Sequence, residues 1–241
     1  METNVIHQGD ALALLKETVE PESVHMFLTD PPYGVAFKSN MGEEGYRKDA
    51  IANDGFEEWL GVMPKWIKAM HRGLVPGGCM AMFCGIGGGP TGDRKTVLHH
   101  AIREVEDTFG EMAKLLIWDR CDMGMGWGYR PVFEAILLAY KDHKPRVWHG
   151  TGTETDILRY PRIIPKAGEH PTPKPVPLLA DLIELNTDAG DLVVDPFCGG
   201  GPTLEASELL KRKWIGNDLE PKYVRMSQNR MDLYRVQPQM F

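Results

Sequence analysis

Asp30-Pro31-Pro32 brings the apolar run Ser23–Thr29 to a stop. Proline has no amide hydrogen and pushes the residue before it towards extended geometry, so no helix continues through that tripeptide. The run SVHMFLT therefore reads as a strand that ends in a rigid loop, and Tyr33 completes the loop. The loop carries a carboxylate, a carbonyl with no helical partner and an aromatic ring. That set suits an exocyclic amino group on a planar base. Asp30 and the Pro31 carbonyl accept its two N–H protons, and Tyr33 stacks on the ring.

Around this strand, short apolar runs alternate with amphipathic segments, the pattern of an α/β fold with a doubly wound, mostly parallel sheet. Asn4–His7 reads as a strand and Asp10–Thr18 as a helix capped by Asp10. Gly34–Gly55 is polar and without periodicity, a long loop of the kind that is usually functional. A helix over Phe56–Arg72, a turn at Pro76-Gly77-Gly78 and a strand over Cys79–Cys84 follow. Next come a helix over Arg94–Thr108 and strands over Glu111–Trp118 and Val132–Tyr140. Irregular, proline-rich chain is expected over Lys141–Pro175, and a helix over Val176–Leu185. The closing unit is a strand (Leu192–Asp195), a glycine turn, a helix (Leu204–Leu210), a strand (Trp214–Asn217) and a helix (Tyr223–Tyr234).

At 241 residues the chain is long enough for one large domain. It holds no run of 18 apolar residues, and METNVIHQGD lacks the basic and apolar regions of a secretory signal. Cys79, Cys84, Cys121 and Cys198 form no C-x-x-C pair, which argues against a zinc site and fits a reducing cytoplasm. A net charge of −7 weighs mildly against a nucleic-acid partner. Locally the balance reverses: Lys141–Lys174 holds seven Lys/Arg against four acids, with three histidines besides.

The closing unit has the form of a nucleoside-cofactor site. Gly199-Gly200-Gly201 lies between a strand and a helix, where missing Cβ atoms let backbone approach a ligand. Asp218 ends the next strand, 19 residues after Gly199, in position to accept hydrogen bonds from ribose hydroxyls. The dinucleotide fingerprint needs a further glycine at 202 or 204, where Pro202 and Leu204 stand. S-adenosylmethionine, which has no phosphate, is therefore preferred over NAD. The stretch Gly85–Gly92 is not a phosphate loop, because Asp93 stands where that pattern needs lysine.

Taken together, Asp30-Pro-Pro-Tyr33 and Asp195-Pro-Phe-Cys-Gly-Gly-Gly201 resemble the catalytic and cofactor motifs of DNA amino-methyltransferases, in the circularly permuted order of the β group. Gly9-Asp10, Leu74-Val-Pro-Gly-Gly78, Arg130-Pro-Val-Phe-Glu134 and His170-Pro-Thr-Pro-Lys-Pro-Val176 are similar to further segments of the family, in the same order. Two positions depart: Pro202-Thr203 where Thr-Thr is usual, and Asp218 where Glu is common.

The resemblance implies an S-adenosylmethionine-dependent, Rossmann-like methyltransferase domain over 1–241, with target recognition at about 141–169. It implies catalysis by Asp30, Pro31, Pro32 and Tyr33. Cofactor binding falls to Asp10, Asp195, Phe197, Cys198, Gly199, Gly200, Gly201, Asp218, His170 and Lys174. The implied partner is double-stranded DNA with a flipped target base, the implied assembly a homodimer, and the setting a bacterial or phage-encoded cytoplasmic protein. Adenine N6 is the expected target, with cytosine N4 as the alternative. RNA or protein-glutamine methylation is disfavoured by the Asp and by the motif order. A non-catalytic DNA-binding relative is disfavoured by the intact motifs. Cytosine-C5 chemistry would need a nucleophilic cysteine after proline, and none is present. Trp118, Trp127 and Trp148 read as packing residues rather than base contacts.

Overall fold

The computed structural model describes residues 1–34, 55–86, 96–124, 128–165 and 170–236. Most of the expected loop Gly34–Gly55 and of the stretch Gly85–Gly92 lies outside these residues, as do Trp127 and Lys166.

The elements in order are β1 (Val5–Gln8), α1 (Ala11–Ala13), β2 (Val24–Thr29), α2 (Phe56–Gly73), β3 (Leu74–Cys84), α3 (Leu98–Phe109), β4 (Lys114–Asp119) and β5 (Phe133–Tyr140). They continue with β6 (Ile157–Arg159), α4 (Val176–Asn186), β7 (Leu192–Asp195), α5 (Pro202–Leu209), β8 (Lys213–Asp218) and α6 (Pro221–Val236). One eight-stranded sheet runs β1-β8-β7-β2-β3-β5-β4-β6. Its neighbours pair in parallel except where β5 meets β3 and β4, so β5 alone is reversed.

Side chains alternate across each strand, and both faces of this sheet are covered. Phe27, Met80 and Met82 join the core formed with Trp59, Trp66 and Met70 of α2 and Val105 and Phe109 of α3. Their neighbours Met26, Leu28, Ala81 and Phe83 face the opposite core, with Leu178, Leu182 and Ile183 of α4. Burial on both faces is why these strands read as continuous apolar runs. It is also why they need no polar face. Each fully buried Trp or Leu contributes roughly 1.5–3 kcal/mol of transfer free energy.

Three local expectations change. The segment after Asp10 is α-helical for only three residues and then widens into a π-helical turn over Leu14–Thr18, although Asp10 does cap it. Pro76-Gly77-Gly78 does not end an element. It lies inside β3 as an irregularity that shifts the register against β2 between Val24 and Met26. The stretch Lys141–Pro175 contains a strand, β6, too short to be seen as a periodic pattern; it pairs with β4 at the sheet edge.

Strand direction positions the chemistry. The carboxyl ends of β1, β8, β7, β2, β3 and β4 share one edge, and the reversed β5 brings its amino end to the same edge. Ligands of open α/β sheets bind outside the carboxyl ends of the strands.

Candidate active site

Two groups of residues form at this edge, one at the end of β2 and one at the ends of β7 and β8. They are neighbours because β2 and β7 pair directly, Met26 with Val193 and Phe27 with Val194. At the strand ends the Thr29 hydroxyl donates a buried hydrogen bond of 2.7 Å to Asp195 Oδ1.

At the end of β2, the Tyr33 hydroxyl donates to Asp30 Oδ1, and Lys174 Nζ lies 2.5 Å from Asp30 Oδ2. Lys174 Nζ is also 3.2 Å from Glu134 Oε2, and Arg120 Nη1 is 3.6 Å from Glu134 Oε1. The backbone brings these five together. Trp118 of β4 pairs with Glu134 at the start of β5, and Cys84 at the end of β3 pairs with Ala135. The Tyr33 ring packs on Gly85, where a Cβ would lie 2.8 Å from Tyr33 Cδ2, so only a glycine leaves that space. Burial first, then the Asp30 and Glu134 charges, push the Tyr33 phenol well above its ordinary pKa, so it stays a neutral donor.

At the ends of β7 and β8, Gly199 and Gly201 take left-handed conformations, φ +51° and +79°. Cβ atoms on Gly199, Gly200 and Gly201 would meet His170 Nε2 at 3.0 Å, Met226 Sδ at 3.2 Å and Ser227 Cβ at 3.1 Å. The turn is pinned by the Ser227 hydroxyl, which donates to the Gly199 carbonyl at 2.6 Å. Asp218 accepts the Gly199 N–H at 3.0 Å on one oxygen and the Glu220 N–H at 2.9 Å on the other. Each oxygen keeps a second lone pair for an incoming hydroxyl. Asn217 completes the frame: its amide donates to the carbonyls of Gly9 at 3.0 Å and Pro196 at 3.1 Å.

A cradle of bare backbone beside a carboxylate at the next strand end, with no phosphate loop, fits S-adenosylmethionine. Gly199, Gly200, Gly201 and Asp218 are the residues that would hold it.

Several expected site residues have partners within the protein. Asp10 Oδ1 caps α1 by accepting the Ala13 N–H at 3.0 Å. Asp195 is turned inward onto Thr29, Thr203 and the Phe197 N–H, and burial raises its pKa to about 6. Phe197 packs edge-on against Trp66, ring centroids 4.8 Å apart. The Cys198 thiol is buried, and burial drives its pKa well above the ordinary value, so it is an inert packing group. His170 stands over Gly199 and packs against Tyr223. Burial, with Lys174 and Lys222, lowers its pKa to about 4. Lys174, which the resemblance groups with the cofactor residues, has its ammonium on Asp30 and Glu134.

Glu134, Arg120 and Asn217 were not among the expected site residues. For Glu134 a signal existed in the R-x-x-x-E segment; for Arg120 and Asn217 only the strand pairing reveals them. Trp118 is core, its indole donating to the Tyr160 carbonyl at 2.8 Å, whereas Trp148 is exposed. The described residues contain no metal-binding cluster and no helix long and apolar enough to cross a membrane.

The N6/N4 DNA methylase family model matches residues 24–229. The DNA adenine methyltransferase YhdJ of Escherichia coli K12 is 26% identical over 265 residues, covering 96% of this chain and 84% of that protein. The type II methyltransferase M2.DpnII of Streptococcus pneumoniae is 26% identical over 259 residues, covering 95% and 89%. Among solved structures, the cytosine-N4-specific PvuII DNA methyltransferase superposes with a TM-score of 0.76 at 19% identity, over 100% of this chain and 89% of that one. The M1.HpyAVI–SAM complex superposes with a TM-score of 0.66 at 23% identity, over 93% of this chain and 98% of that one.

Proposed function

The chain belongs to the DNA methylase family whose model spans residues 24–229, and from that premise we propose that it transfers a methyl group from S-adenosylmethionine to N6 of adenine in DNA. The observation that carries this reading is the pairing of β2 with β7. It sets the Asp30-Pro31-Pro32-Tyr33 loop beside the glycine cradle, with Thr29 and Asp195 tying the two together.

When bound, S-adenosylmethionine supplies an electrophilic methyl group. The protein's part is to make a poor nucleophile ready. The amino nitrogen of a base shares its lone pair with the ring. Asp30 and the Pro31 carbonyl accept its N–H groups, favour a pyramidal nitrogen and localise that lone pair. Tyr33 stacks on the base and holds its plane. This is positioning and electrostatic stabilisation without a covalent enzyme intermediate, consistent with the buried, protonated state of Cys198. Taking the base out of the duplex costs a few kcal/mol, which contacts in this pocket offset.

Adenine is favoured by the Asp at the head of the tetrapeptide and by the relative YhdJ, which is named as an adenine enzyme. The segment about 141–169, which includes β6, is assigned to target recognition within a single domain, the assembly to a homodimer and the setting to the cytoplasm. Light scattering that gives a monomer mass removes the homodimer.

The test is methylation of DNA with labelled cofactor, followed by digestion to nucleosides and mass spectrometry. N6-methyladenine is expected, and Asp30→Ala abolishes it while cofactor binding persists. N4-methylcytosine alone would change the base and leave the mechanism; turnover by Asp30→Ala within about tenfold of wild type, roughly 1.4 kcal/mol in barrier, would remove Asp30 from its role.

A further inference from the structure

Lys174 has only 7% of its side chain exposed. A buried ammonium is costly unless carboxylates meet it, and here two do. Asp30 Oδ2 lies 2.5 Å from Nζ and Glu134 Oε2 3.2 Å. The ring of Phe83 faces Nζ with its centroid at 5.0 Å, and those of Tyr33 and Trp118 at 5.8 Å. Burial pulls the Lys174 pKa down, and the charges of Asp30 and Glu134 more than reverse this, so the ammonium stays protonated.

We infer that Lys174 is a positioning residue for methyl transfer: it binds the carboxylates of Asp30 and Glu134 together, so that Asp30 meets the target amino group as a fixed acceptor. The inference rests on the reading of Asp30 as acceptor of that amino group. Its physical basis is the behaviour of two carboxylates at one site. Without a cation between them they share a proton, and one carboxyl pKa rises. A protonated Asp30 presents a hydroxyl to the amino group and loses half its capacity as acceptor.

Other ionisable groups do not replace the lysine. Arg120 reaches Glu134 from the end of β4. Tyr33 is a neutral donor to Asp30. The Cys84 thiol, on β3, is pushed up to about 12 by burial and carries no charge. Asp195, from β7, adds further negative potential at Asp30. His170, whose pKa the Lys174 charge helps to lower, is neutral near pH 7.

The test is Lys174→Met, an uncharged side chain of similar length, assayed from pH 6 to 10 at saturating cofactor, with cofactor affinity measured by calorimetry. The expected result is unchanged cofactor affinity and a loss of about a hundredfold in turnover at pH 7. The acid limb of the pH profile should move up by about one unit or more, as for a carboxylate deprived of its cation. Adding Glu134→Gln to Lys174→Met removes the second carboxylate and returns the limb towards wild type. An unmoved pH profile in Lys174→Met overturns the inference. So does loss of cofactor affinity with normal turnover at saturation, which would return Lys174 to the cofactor.

If Lys174→Met does not fold, Glu134→Gln alone decides. Lys174 then serves Asp30 only, the limb stays in place, and an alkaline shift refutes the clamp. Wild-type protein that methylates no DNA would instead sink the proposed function. The Asp30 carboxyl, followed by carbon NMR in wild type and Lys174→Met, would still report whether the lysine holds it ionised.

Discussion

His170 stands over Gly199: a Cβ on that glycine would lie 3.0 Å from the imidazole Nε2. The contact comes on top of a left-handed backbone, φ +51°, which costs an L-residue with a side chain roughly 1–2 kcal/mol. Gly199→Ala is therefore expected to weaken S-adenosylmethionine binding about tenfold or more, and to lower the unfolding midpoint. Calorimetry showing wild-type affinity would contradict the cradle.

The His170 imidazole and the Asp195 carboxyl also predict opposite dependences of stability on pH. The pKa of His170 is depressed from 6.5 to about 4, so its contribution is present above 6.5 and lost as the pH falls through 4. The pKa of Asp195 is raised from 3.8 to about 6, so its contribution is present below 3.8 and lost as the pH rises through 6. Each effect is on the order of 3 kcal/mol at its limit. Between pH 4 and 6 they oppose one another. Relative to wild type, Asp195→Asn should become more stable as the pH rises across this window, and His170→Gln less stable. Denaturant midpoints at pH 4, 5 and 6 check the sign; parallel curves for all three proteins would refute it.

Asp218 holds two backbone N–H groups and is proposed to take the ribose. Asp218→Ala should raise the dissociation constant for S-adenosylmethionine by about ten- to a hundredfold, the worth of a charge-assisted contact of roughly 1.5–3 kcal/mol. The same titration with NAD should give no heat. Unchanged affinity in the variant would place the ribose elsewhere.

Tyr33 is proposed to act through its ring and its hydroxyl, and two variants separate them. Tyr33→Phe keeps the stack and loses the donor to Asp30; Tyr33→Ala loses both. The alanine variant should lose a further 1–3 kcal/mol, about the value of one stacked base, in kcat/KM for DNA. Equal kinetics for the two variants would deny a stacking role.

DNA binding should weaken with salt despite the net charge of −7, because the exposed Lys144, Arg159 and Arg162 and the basic residues Lys38, Arg47 and Lys48 are proposed to meet phosphates. A slope of log affinity against log salt near zero would mean that no phosphate is neutralised.

How much of this was legible in the sequence depended on whether the signal was local. Leu192–Asp195 was found to the residue, and β2 to within one, because buried parallel strands read as uninterrupted apolar runs between turn residues. The DPPY loop and the glycine turn were found because proline and glycine write backbone geometry into composition. Strand β6 was missed because three residues carry no period, and its place is set by pairing with β4. The widening of the helix after Asp10 into a π turn left no mark that propensity could register. Arg120, Glu134 and Lys174 meet only after β5 reverses, a fact of tertiary pairing. A lysine in a segment grouped with the cofactor gives no warning that its ammonium reaches across to Asp30.

The pairing of β2 with β7 has a last consequence, one of measurement. Neighbouring strands of any sheet stand about 4.8 Å apart, a repeat fixed by hydrogen bonds and insensitive to side chains. The loop proposed to receive the base leaves one of these strands, and the turn that would hold the methyl donor leaves the other. The gap between acceptor and donor is thus referred to a ruler engraved in the backbone. Drift in the surrounding helices and surface loops can change how tightly each ligand is held, while the scale on which the two must meet stays the same.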